Sequence, residues 1–109
     1  MSADRIARLR AFLQQDPADP FTHYALAMEL WKAGHREEAR RTFEALLARW
    51  PDYVGAYYHL ARLYRELGLL AEAARTYQEG LAVARGLGDA HALSELQAAW
   101  EEFQQEADS

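Results

Sequence analysis

The chain has no cysteine, three prolines, six glycines and, at Lys32, a single lysine among its 109 residues. The missing cysteine removes disulfides, thiolate metal sites and thiol nucleophiles together. No run approaches the ~18 apolar residues that a membrane span needs. Met1-Ser2-Ala3-Asp4-Arg5 has no apolar core of the kind a secretion signal carries, so a cytoplasmic location is expected. A net charge of -5 gives no general attraction to nucleic acid or to an anionic membrane. Half the residues are apolar and 27% are charged, an ordinary globular composition for one domain spanning residues 1–109.

What is present is a period. Laid over itself at an offset of 34, the chain superimposes Leu13, Leu47 and Leu81, and likewise Leu9, Phe43 and Tyr77. Tyr24 then falls on Tyr58, Leu26 on Leu60, Ala27 on Ala61, Gly34 on Gly68 and Thr42 on Thr76. Each period reads as two helices. Asp19-Pro20 starts the first, with a side chain able to cap and a residue whose fixed φ suits the first helical position. Tyr24, Ala27, Met28, Leu30 and Trp31 keep helical spacing up to Gly34, which stops the helix as a left-handed residue would. Arg36 to Arg49 carries Ala39, Phe43, Leu46 and Leu47 on one stripe. Asp52 is expected to cap a helix from about Tyr53 to Leu67, with Gly68 closing it and Leu70 to Arg85 as its partner. Short glycine turns leave antiparallel packing as the compact solution.

The ends are half-units. Asp4 to Gln15 aligns with the second helix of a period, and an offset of 36 lays Leu93, Leu96, Trp100 and Phe103 over Tyr57, Leu60, Tyr64 and Leu67. The extra residues fall near Gly86-Leu87-Gly88, and Asp89 caps the last helix. The total is six helices in an all-α chain. Leu26, Leu30, Ala39, Phe43, Leu47, Leu60, Tyr64, Ala73, Tyr77 and Leu81 form the expected core, each large member worth roughly 1.5–3 kcal/mol when buried.

Chemistry for catalysis is scarce. Ser94 is the one serine away from the termini and has no G-x-S-x-G setting, and Gly86-Leu87-Gly88 is not a phosphate loop. The pairs Glu37-Glu38 and Glu101-Glu102 point about 100° apart on a helix, so neither converges on a substrate. His23, His35, His59 and His91 lack metal-ligand spacing; His59 and His91 could approach across neighbouring helices, yet no third ligand is evident. No catalytic residue, cofactor or metal is expected.

The pattern resembles the tetratricopeptide repeats, whose order is large residue, x-x-Leu-small-x-x-Tyr, Ala-x-x-x-aromatic and a late proline. One copy reads His23, Leu26, Ala27, Leu30, Ala39, Phe43, Pro51, and the next Tyr57, Leu60, Ala61, Tyr64, Ala73, Tyr77. Three positions depart from it: His23 replaces an aromatic, Gly80 an alanine and Arg85 the proline. Gly80 should cost roughly 0.5–1 kcal/mol in a helix interior. The resemblance implies a short right-handed solenoid of antiparallel helix pairs, with a half-repeat at 4–15, full repeats at 20–53 and 54–87 and a capping helix at 89–106. It also implies a protein or peptide partner held in a concave groove lined by the first helix of each pair.

Carried over position by position, that groove takes Phe21, Tyr24, Met28, Trp31 and Lys32 from one copy. Tyr58, His59, Arg62, Arg65 and Glu66 come from the next, and Ser94, Glu95, Ala98 and Glu101 from the last helix. Aromatics and arginine dominate binding hot spots; the alternative is that Phe21, Tyr24, Met28 and Trp31 pack beneath the first half-unit. Tyr24 and Met28 stand where the family's carboxylate clamp has lysine and asparagine. The expected ligand is therefore a peptide with an apolar anchor and an acidic group near Arg62 and Arg65. Trp100 and Phe103 either dock on the helix before them or form a self-association stripe for a homodimer.

Overall fold

The computed structural model describes residues 2–108, and these divide into two compact units, one running up to Trp50 and one from Pro51 onward. Every element is an α-helix. The first unit holds α1 (Ser2–Gln15), α2 (Pro20–Lys32) and α3 (Arg36–Arg49). The second holds α4 (Gly55–Glu66), α5 (Leu70–Leu87) and α6 (Ala90–Ala107).

The helix ends follow from local chemistry. Asp19 caps α2 by accepting from the Phe21 backbone N–H at 3.1 Å and from the Thr22 hydroxyl at 2.5 Å, with Pro20 in the first turn. Asp89 does the same for α6 through the Ala92 N–H at 3.0 Å. At the C-termini Gly34, Gly68 and Gly88 all have positive φ, where a Cβ would be strained. His35 N–H bonds to Leu30 O and Leu69 N–H to Tyr64 O, the same turn 34 residues apart. Asp52 does not cap α4. That helix begins at Gly55 behind Val54, which supplies no side-chain cap; the Tyr53 and Val54 carbonyls accept from Ala56 and Tyr57 at 3.2 Å in a tighter first turn. Gly86 stays helical, so α5 runs on to Leu87 and the break falls at Gly88.

In the first unit α2 packs against both α1 and α3. Ile6, Leu26, Ala27, Leu30, Ala39, Phe43 and Leu46 are buried, whereas Leu47 is half-exposed. Glu29 is buried too, its carboxylate held by Arg5 at 3.3 Å and Lys32 at 3.5 Å, which ties α1 to α2. Arg10 of α1 forms a further ion pair with Glu38 of α3.

In the second unit α5 lies against α4 and α6. Its core contains Tyr57, Leu60, Ala61, Tyr64, Ala73, Tyr77, Leu81, Leu96 and Phe103. Gly80 serves the packing. A Cβ there would stand 2.7 Å from Tyr57 Cβ and 3.3 Å from a Leu96 methyl, so α4 and α6 approach α5 more closely than alanine permits. The propensity cost of the glycine is thus offset by contacts that only glycine allows.

The period extends into hydrogen bonding. Thr42 and Thr76 each donate to the carbonyl four residues earlier, at 2.8 and 2.7 Å. His23 Nε2 donates to Pro17 O at 2.8 Å, and the Tyr57 hydroxyl donates to Pro51 O at 2.7 Å. The imidazole of His23 therefore performs, for the loop before α2, the task that a phenol performs before α4.

Candidate functional site

The residues expected to bind are distributed over both units and differ in how far their own unit already uses them. On α2, Phe21 is 64% exposed, its N–H fastened by Asp19 while its ring faces water. Tyr24 and Trp31 are half-buried, and each meets Phe43 of α3 edge-on, with ring centroids 6.3 and 6.4 Å apart. Met28 is half-buried. Lys32 reaches back to Glu29. The α2 face is thus an aromatic surface braced from behind, with its one lysine engaged internally.

In the second unit a pocket of about 260 Å³ opens between α4 and α6. From α4 come Tyr58, Arg62 and Arg65, whose spacing of four and three residues places them on one face. The Tyr77 ring of α5 forms part of the lining. From α6 come Glu95, Ala98, Ala99 and Glu102, again one helical stripe. His59 is outside the lining, its ring perpendicular to that of Tyr58 with centroids 5.1 Å apart. Burial lowers the His59 pKa below its ordinary value; Arg62 adds to that and Glu95 opposes it. Burial likewise raises the Tyr77 phenol, so its hydroxyl is a neutral group at working pH.

The two arginines are not equivalent. Arg65 is ion-paired with Glu106. Arg62 lies over the Tyr58 ring at 5.6 Å from its centroid and donates to the Tyr58 hydroxyl at 3.2 Å. Among the described residues no carboxylate lies within 4.0 Å of Arg62, and no basic group within that distance of Glu102. Glu95 has His91 at 3.8 Å.

Sequence reasoning placed Glu95 and Ala98 beside Arg62 and missed Tyr77, Ala99 and Glu102. Ser94 and Glu101, expected to join them, are exposed and lie off the lining. Leu96 and Phe103 mark the buried side of α6, and a face measured from them selects 95, 98, 99 and 102. Phe103 is buried and Trp100 half-buried; their rings stack at 5.9 Å and meet Tyr77 at 5.6 and 6.1 Å. Both therefore dock on α5. Among the described residues no group of three His, Cys, Asp or Glu side chains could hold a metal, and no helix is long and apolar enough to cross a membrane.

A tetratricopeptide repeat profile matches residues 24–86. Among solved structures, the chain is similar to a tetratricopeptide repeat domain protein from Salinibacter ruber. Its solution structure is 47% identical with a TM-score of 0.79, covering 83% of this chain and 91% of the other. A crystal structure of that domain gives 46% identity and a TM-score of 0.76, covering 80% and 97%. A protein from Bordetella parapertussis follows at 26% identity and a TM-score of 0.80, covering 93% and 88%. No curated protein matches.

Proposed function

The chain belongs to the tetratricopeptide repeat family, whose fold mediates protein–protein interaction and is generally non-catalytic, and from that premise we propose that it is an adaptor binding a peptide segment of a cytoplasmic partner. The contact residues in the second unit are Tyr58 and Arg62, with Arg65 beside them in its pair with Glu106; Phe21, Tyr24, Met28 and Trp31 form a separate candidate surface in the first. The observation that carries this reading is the open pocket under Tyr58 and Arg62, where an aromatic ring and a guanidinium stand ready beside empty volume. An apolar anchor of the ligand lies against exposed ring surface, and its acidic group meets the arginine side.

The test is selection of a random 12-residue peptide display library on the immobilised 109-residue chain, followed by titration of the selected peptides. Tyr58→Ala is expected to weaken them about tenfold, within the range for an aromatic hot spot. Failure to enrich any sequence, or binders indifferent to Tyr58, overturns the reading. Light scattering that returned twice the 12.5 kDa chain mass would instead favour self-association. Phe103, packed on Tyr77, offers little free surface for that.

A further inference from the structure

The second-unit pocket has a charge order of its own. Resting on the peptide-binding reading above, we infer that it selects a segment carrying one acidic residue flanked on both sides by basic residues, rather than an acidic peptide. Four pocket charges have to be accounted for. Arg65 is already neutralised by Glu106, so it has no charge to spare for a ligand carboxylate. Arg62 has no carboxylate within 4.0 Å among the described residues and is held in place by the Tyr58 ring and hydroxyl. Among the described residues Glu102 has no cation within 4.0 Å, and Glu95 has His91 at 3.8 Å, which is charged only when protonated. What the pocket leaves uncompensated is therefore one positive and two negative groups.

Their positions set the pattern. Glu95 and Glu102 are seven residues apart on α6, about 10 Å along the helix. Arg62 lines the same pocket as Ala98 and Ala99, the residues midway between them on α6. Ala98 and Ala99 are the small side chains that leave room there, with Tyr77 behind. A guest carboxylate opposite Ala98 pairs with Arg62, and two guest cations about 10 Å apart pair with Glu95 and Glu102. A run of acids would bring like charges together at both ends, a repulsion that works against the wrong partner. On a helical ligand the pattern is basic, acidic and basic at i, i+3 or i+4, and i+7, one face of the helix.

The same selected peptides, aligned for charge, test this separately from the function. The expected result is enrichment of the basic–acidic–basic order. Arg62→Gln should weaken those peptides about tenfold, as loss of a charge-assisted hydrogen bond does. Glu102→Lys should change the preference at one flank from basic to acidic. Both substituted side chains lack ion-pair partners in the fold, and circular dichroism verifies that the helices persist. Enrichment of all-acidic peptides, or binders whose charge order is unaffected by Glu102→Lys, overturns the inference while leaving peptide binding intact. Failure to enrich any peptide overturns both.

Discussion

Helices α2 and α4 match in sequence register, 34 residues apart, yet differ in the chemistry of the side chains they carry there. Positions 24, 28 and 31 of α2 are Tyr, Met and Trp, and the positions 34 residues later on α4 are Tyr58, Arg62 and Arg65. In the first unit the Tyr24 and Trp31 rings brace on Phe43 and Lys32 is drawn to the buried Glu29, while Phe21 stays exposed. In the second, guanidinium groups cannot be buried cheaply and remain at a pocket rim, where only one of them finds a carboxylate. The lesson is that a repeat sets where a side chain stands, while its chemistry decides whether the site is closed or left open to a ligand.

Phe43 and Tyr77 are the matched pillars behind these two faces, 0% and 1% exposed. Removing either ring is the strongest way to break the comparison. Phe43→Ala and Tyr77→Ala should each lose about 3–5 kcal/mol in urea unfolding. Only Tyr77→Ala should also alter peptides selected by the second-unit pocket. A loss under 1 kcal/mol at either position would show that the rings are not supports.

A smaller effect isolates a feature peculiar to the second unit. Gly80→Ala should destabilise by about 1–3 kcal/mol despite the better helix propensity of alanine, because the added methyl overpacks Tyr57. Gly86→Ala, in the same helix with nothing within 4 Å of the new Cβ, should do the reverse and stabilise by up to about 1 kcal/mol. Equal signs in thermal unfolding would remove the close approach as the reason for Gly80.

The smallest effect is a pH dependence at His59. Its folded pKa is lowered from 6.5, chiefly by burial, so the unfolded chain binds the proton more readily. The associated stability is complete above pH 6.5 and is lost as the pH falls through the lowered folded value. His59→Asn should therefore lose less stability than the unmodified chain between pH 7.5 and pH 5, measured by urea midpoints. An identical pH slope in both would contradict it.

Much of the fold was legible because its determinants are local. Helical spacing, the Asp19 and Asp89 caps and the left-handed turn glycines each depend on residues within one or two helical turns. Asp52 misled for the same reason: aspartate after proline reads as a cap, but Tyr53 and Val54 close a tighter turn with their own carbonyls. Of the candidate site, the spacing of Tyr58, Arg62 and Arg65 puts them on one face of α4, where all three line the pocket, while His59 lies outside it. On α6, Glu95 and Ala98 line the pocket whereas Ser94 and Glu101 lie off it, because the buried Leu96 and Phe103 set which face of that helix turns toward α4.

The order of residues alone thus determined that this chain makes helix pairs, where each pair turns and which stripe goes inside, because periodicity and backbone preference act over a few neighbours. Only the folded arrangement decided that Arg65 is spoken for while Arg62 and Glu102 are not, and that Gly80 is a contact rather than a defect. Those outcomes depend on distances between side chains from different helices, and no spacing along the chain specifies them.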